Sequence, residues 1–127
     1  GHNSEEIEVL IHAVKTGEFD VVFPSYNIEF QDAGQPGGLF DVAKEYETGV
    51  MVKKALIRQG FPRAPGMPRK PPGSLIPQYG VPALLKFVLK DPRIATVVVG
   101  MKRISEVEED VPYGYLPSIS SQKGVQW

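Results

Sequence analysis

The chain contains no cysteine, and this absence excludes two kinds of architecture. Without thiols it has neither a disulfide framework nor a thiolate metal site. Its two histidines, His2 and His12, are ten residues apart, and that spacing does not make a zinc signature. The sequence therefore predicts no metal site.

Long hydrophobic runs are also missing. No stretch approaches the roughly 20 apolar residues that cross a bilayer, and the first residues, which include Glu5 and Glu6, are too acidic for a secretory signal. These features predict a soluble, cytoplasmic protein with no membrane partner. At 127 residues and 42% hydrophobic composition, the chain fits one globular domain with a modest core.

Acidic residues are absent from the middle of the chain. Residues 48–90 hold eight basic side chains and no Asp or Glu, whereas residues 1–47 hold ten acidic and two basic ones. The cationic segment favours an anionic partner such as phosphate, and the alternative is a solvated basic face neutralised by the acidic first third. Nucleic acid is disfavoured, because the charges of residues 53–70 alternate with proline instead of stacking aromatics.

The apolar pattern predicts helix, strand, helix, strand, loop, helix, strand and helix, in that order. The first predicted helix is capped by Asn3 or Ser4 and ends near Gly17, and the second begins at Leu39 and closes on Gly49. The third covers residues 83–90, with Pro82 in its first turn. The fourth is capped by Ser105, with Glu108 three residues further on. The predicted strands are residues 19–23, 50–52 and 94–100, the first and last buried on both faces.

Two segments are predicted to be irregular. Residues 60–82 contain seven prolines and four glycines, so residues 59–81 are expected to form a long loop. Residues 111–127 show no periodicity and are expected to form an irregular tail.

The alternation of strands and helices predicts an α/β architecture with parallel strands joined by right-handed crossovers. A three-stranded parallel sheet has two unpaired edges, which proteins ordinarily cover or close. The pattern is therefore typical of part of a larger sheet or barrel.

Three blocks of the sequence resemble the second half of an aldo-keto reductase. They are EEIEVLIHAVKTGEFDVVFPSYN, LFDVAKEYETGVMVKKAL and PALLKFVLKDPRIATVVVGMKRISEVEED, in the order and approximate spacing of that family, over about residues 3–110. The resemblance implies a (β/α)₈ TIM-type barrel, of which this chain supplies about the C-terminal half, strands six to eight with their helices.

The resemblance also implies a reaction, the NAD(P)H-dependent reduction of an aldehyde or ketone, with a tyrosine as proton donor. The family's catalytic Asp, Tyr, Lys and His come from strands that precede these blocks, and none of the four is in this sequence. No catalytic residue is therefore assigned, and one chain of 127 residues is not expected to carry out the reaction alone.

By resemblance, the first cofactor-binding candidates follow two strands. Tyr26 matches an aromatic residue that stacks on the nicotinamide ring; the alternative is an aromatic that closes the barrel mouth. Lys53, Lys54 and Leu56 lie where relatives carry a turn along the cofactor's pyrophosphate. Lysine is a flexible point charge suited to phosphate, and the alternative is that one or both lysines only face solvent.

The remaining candidates surround the start of the last helix. Gly100 and Met101 end the last strand, and Lys102 and Arg103 precede the start of a helix, where basic side chains favour the 2'-phosphate of NADPH. Glu106, however, stands where relatives often carry Arg or Gln, and Asp110 stands where they usually carry Asn. Acids at these two positions favour the ribose hydroxyls of NADH. Both NADP(H) and NAD(H) stay open, with the balance slightly towards NADP(H).

A second hypothesis needs no catalysis. The chain would be an inactive half-barrel that pairs with itself or with another chain, with its cationic loop as an anion-binding surface.

Overall fold

The computed structural model describes residues 2–57 and 73–114. Its helices and strands are α1 (His2–Lys15), β1 (Val21–Val22), α2 (Leu39–Glu45), β2 (Gly49–Val52), α3 (Ile76–Tyr79), α4 (Val81–Leu89), β3 (Thr96–Val97) and α5 (Ile104–Asp110). Two 3₁₀ turns, Asp32–Gly34 and Val111–Gly114, complete the described structure. The predicted order of elements is confirmed, with α3 as an addition.

The three strands form one parallel sheet in the order β1-β2-β3. Val21 pairs with Gly49, and Met51 pairs with Thr96. An isolated parallel bridge between Ser25 and Lys53 continues the first pairing beyond the strands. The predicted parallel pairing of neighbouring strands is confirmed, and closure of the sheet into a barrel stays a prediction.

Only one face of this sheet is covered by the described helices. Val22, Val50 and Val52 are buried in one cluster with apolar residues of α1, α2 and α4. On the other face Val21 is 49% exposed and Val98 is 44% exposed. The prediction that the first and last strands are buried on both faces is therefore wrong, because side chains alternate between the two faces of a strand and only one face meets helices here.

The core consists of two clusters, and α4 belongs to both. Val88 packs with the first cluster, around Leu39 and Phe40 of α2. Leu84 and Leu85 pack with the second, which also includes Val81 and the buried residues Leu56 and Leu75. Full burial of such side chains stabilises the fold by about 1.5–3 kcal/mol each. Because α4 is one continuous helix that packs in both clusters, it holds β3 beside β2. The candidate functional site depends on this arrangement of the two strands.

Two predicted helix boundaries need correction. Helix α1 begins at His2, so Asn3 and Ser4 lie inside it and do not precede it as caps, although the predicted end near Gly17 (φ 76°) is confirmed. After α2 the left-handed residue is Glu47 (φ 57°), not Gly49. The Gly49 N–H donates instead to Asp20 O at 2.8 Å, and Gly49 is the first residue of β2.

The predicted irregular segments are partly helical. Helix α3 falls within the predicted loop, and its proline lies in the first turn, where the missing N–H is tolerated. The start of the predicted tail is the 3₁₀ turn Val111–Gly114. Residues 59–72 of the predicted loop and 115–127 of the predicted tail lie outside the described residues. The predicted helix with Pro82 in its first turn is confirmed by α4, which begins one residue earlier, at Val81.

Candidate functional site

A cleft of about 480 Å³ opens where β2 and β3 end. Its walls are residues 53–57, which leave β2, and residues 98–102, which leave β3. Because the two strands are parallel neighbours, their carboxyl ends meet at one edge of the sheet. Lys54 and Lys102, 48 positions apart in the numbering, thereby line the same cleft.

The turn after β2 has an unusual backbone. Lys54 (φ 62°) and Ile57 (φ 44°) both adopt the left-handed conformation without being glycine. For a β-branched residue such as Ile57 this conformation is a genuine outlier, and sparsely populated backbone conformations cost about 1–3 kcal/mol each. Such outliers persist where the surrounding structure holds them, and they concentrate at functional sites.

The side chain of Asn27 helps to hold this turn. Its side-chain amide donates to Lys54 O at 3.1 Å, and its Oδ1 accepts from the N–H groups of Glu29 and Phe30, each at 2.9 Å. The sequence reasoning missed Asn27, although an asparagine after Pro24-Ser25 is a recognisable turn former. The arrangement gives one wall of the cleft a fixed backbone.

The two lysines after β2 have different environments. Lys53 Nζ lies 3.4 Å from Glu6 Oε1 on α1 and 5.6 Å from the centre of the Phe23 ring. Its ammonium charge is therefore already paired with a carboxylate. Lys54 is exposed and lines the cleft from the strained turn.

Tyr26 lies in the core and does not line the cleft. It is 6% exposed, its ring stacks on Phe87 with centres 5.6 Å apart, and it meets Phe40 at 4.8 Å. Burial raises the pKa of the Tyr26 phenol, and nearby Asp91 raises it further. Stacking of Tyr26 on a nicotinamide stays a prediction. It needs a face of the Tyr26 ring, and one face already stacks on Phe87.

The start of α5 is occupied by a carboxylate from the same helix. Glu106 Oε1 accepts from the backbone N–H groups of Lys102 and Arg103, each at 3.0 Å. Arg103 is the residue before the helix, so the prediction that Ser105 caps it is wrong. The spacing of three residues between cap and acid holds, but it joins Arg103 to Glu106 instead of Ser105 to Glu108. At the predicted phosphate site, these two backbone amides already have an acceptor.

A second, smaller cleft of about 220 Å³ adjoins the first. It lies between α4, β3 and the turn after α5, and Val99 and Met101 line both clefts. Asp110 lines this second cleft and is only 6% exposed. Its other walls are mostly apolar, and Asp110 is the one acidic residue that lines it.

The candidate residues thus divide among four places. The first cleft contains Lys53, Lys54, Leu56, Gly100, Met101 and Lys102. Asp110 lines the second cleft, Glu106 closes the start of α5, and Tyr26 packs in the core.

No family model, curated protein or solved structure matches the chain. The resemblance to aldo-keto reductases therefore stays a prediction carried by the three sequence blocks. Within residues 2–57 and 73–114, no helix is long and apolar enough to cross a membrane. The same residues contain no group of three or more side chains that would hold a metal ion.

Proposed function

We propose that the chain supplies the dinucleotide-binding part of an NAD(P)H-dependent carbonyl reductase of the aldo-keto reductase type. The observation that carries this proposal is the cleft shared by Lys54 and Lys102 at the carboxyl ends of neighbouring parallel strands. In open parallel sheets, ligands bind in the crevice outside the carboxyl ends of the strands. The three sequence blocks support the choice of cofactor.

The cleft has the size and chemistry for the diphosphate and its flanking sugars. Its volume of about 480 Å³ lies within the usual range for small-molecule sites. Lys54 and Lys102 bring positive charge from opposite walls, while Leu56 and Val99 provide apolar surface. Lysines attract a diphosphate without fixing its geometry, so the fixed turn held by Asn27 provides the shape that the lysines do not.

The bound cofactor supplies the hydride for an aldehyde or ketone. The residues of this chain bind and orient it: Lys54 neutralises the diphosphate, and Lys102 provides positive charge at the α5 end of the cleft. None of the candidate residues is assigned as proton donor, so the reduction requires catalytic groups from outside these 127 residues.

The proposal is tested by titrating NADH and NADPH into the wild-type chain and a Lys54→Gln variant at low ionic strength, with binding followed by calorimetry. Loss of one charge-assisted contact is expected to weaken both cofactors about tenfold. Lys15→Gln is the matched control, because Lys15 is an exposed lysine at the end of α1, and it is expected to leave both affinities unchanged. If the wild-type chain binds neither cofactor at millimolar concentration, the proposal is wrong.

A second candidate function is an assembly module, and the uncovered face of the sheet favours it. Val21 and Val98 are each more than two-fifths exposed there, whereas parallel sheets are almost always covered on both faces. A second copy of the chain would cover this face. Light scattering of wild type is then expected to give a dimer or larger species, and Val98→Glu a monomer.

The control for that measurement is Val9→Glu on α1, since Val9 is 67% exposed but lies away from the sheet face. It is expected to leave the assembly intact. A wild-type chain that stays monomeric at high concentration rules this candidate out.

A further inference from the structure

An apolar groove runs from the second cleft along one side of α5. In the cleft its walls are Leu85 and Leu89 of α4 and Val111 of the turn after α5. From Val111 the groove continues over Val107 and Ile104, because residues three and four positions apart share one face of a helix. Ile104 is 78% exposed, and Val107 and Val111 are each 42% exposed. The groove is thus an uncovered apolar surface.

The helix α5 has no buried apolar side chain of its own. Its one buried residue is Asp110, whereas Ile104 and Val107 are exposed. Helices as short as its seven residues are marginal in water, and most helical stability in proteins comes from the packing of an apolar face. A surface helix ordinarily turns such a face towards the core. The stability of α5 therefore requires a cover over the groove.

We infer that residues 115–127 of the same chain are this cover. They follow directly on Gly114, the last residue of the 3₁₀ turn whose Val111 and Tyr113 line the second cleft. Their sequence, YLPSISSQKGVQW, is rich in side chains that fit an apolar groove, namely Tyr115, Leu116, Ile119, Val125 and Trp127. A segment tethered at its binding surface acts at an effective concentration on the order of millimolar. A second copy would have to reach a similar concentration to compete.

Charge also favours this segment. Residues 102–110 hold four acidic and two basic side chains, and Glu108 and Glu109 are exposed on α5. Lys123 is the single charged side chain in the sequence of residues 115–127. Opposite charges attract, so this segment approaches the acidic helix without repulsion. Because Val99 and Met101 line both clefts, the docked segment also borders the candidate dinucleotide cleft.

The experiment follows hydrogen exchange of the α5 backbone amides in the full chain by nuclear magnetic resonance. Wild type is compared with a variant that carries Leu116→Gln, Ile119→Gln and Trp127→Gln. Because the variant loses the apolar side chains that cover the groove, residues 104–110 are expected to exchange about tenfold faster. The amides of α4 are expected to exchange as in wild type, which shows that the rest of the fold is intact.

The matched control replaces Ser118, Ser120 and Ser121 by glutamine. It makes the same number of changes in the same segment and removes no apolar side chain, so α5 is expected to exchange as in wild type. An equal exchange rate of α5 in wild type and in the Leu116, Ile119 and Trp127 variant would overturn the inference.

The same measurement separates this cover from a second copy of the chain. Wild type is measured at two protein concentrations about tenfold apart. A cover that belongs to the same chain predicts the same α5 exchange rate at both, since an intramolecular contact does not depend on protein concentration. Slower exchange of α5 at the higher concentration would assign the groove to a second copy, and the inference would be wrong.

Discussion

Arg93 Nη1 lies 2.8 Å from Asp41 Oδ1, and this pair ties the segment before β3 to the first turn of α2. The same guanidinium donates to both carboxylate oxygens of Asp91, at 3.0 and 2.7 Å, and to Gly34 O at 3.2 Å. It also lies over the Phe40 ring at 5.3 Å. Paired hydrogen bonds to a carboxylate are the strong form of this interaction. Arg93 therefore sets where β3, one wall of the cleft, begins.

Replacing Arg93 by methionine keeps much of the side chain's length and removes its hydrogen bonds. Asp91 then loses its cation, and the free energy of unfolding is expected to fall by about 1–3 kcal/mol, because the Asp91 side chain is only 12% exposed. Urea unfolding followed by circular dichroism measures this change. The control is Arg103→Met at an exposed position, and a loss for Arg93→Met no larger than for this control would contradict the role of Arg93.

The same cluster predicts a dependence of stability on acid. Hydrogen bonds from Arg93 lower the pKa of Asp91, and the Gly37 N–H, followed by Arg93, lowers the pKa of Asp41. A carboxyl with a lowered pKa in the folded state stabilises the fold above its unfolded pKa, about 3.9 for Asp, and loses that contribution as pH falls through the folded value. Stability is therefore expected to decline below about pH 4.

Urea unfolding at a series of pH values from neutral to strongly acidic measures this decline. In Asp91→Asn the slope of stability against pH in the acid range is expected to be smaller, because an amide does not titrate there. A slope equal to that of wild type would show that the acid sensitivity arises elsewhere.

The order of elements and the parallel pairing were predictable because they depend on local patterns. The exposure of Val98 was not, since it depends on which face of the sheet the helices cover. The pairing of Lys53 with Glu6 joins residues that are 47 positions apart, and no local signal indicates it. At α5 the sequence offers acids at both 106 and 108, so the spacing rule alone does not decide where the helix starts.

The left-handed backbone of Glu47 provides a test with a built-in control. Glycine adopts φ 57° without steric cost, whereas glutamate does not. Glu47→Gly is therefore expected to raise the free energy of unfolding by about 0.5–1 kcal/mol. The same substitution two residues earlier, Glu45→Gly, lies in α2 and is expected to lower it by up to about 1 kcal/mol. Equal effects of the two substitutions in chemical unfolding would show that Glu47 is not left-handed.

Lys102 tests which part of a dinucleotide reaches the α5 end of the cleft. Lys102→Glu reverses a charge that faces the cleft from β3, opposite Lys54. If the adenosine lies at this end, the variant is expected to weaken NADPH about tenfold more than NADH, since only NADPH carries a 2'-phosphate there. Titration of both cofactors at low ionic strength measures the ratio, because added salt screens an exposed charge. Lys54→Gln, at the diphosphate, is expected to weaken both alike. Equal losses of NADH and NADPH affinity in Lys102→Glu would show that the adenosine leaves the cleft by another route.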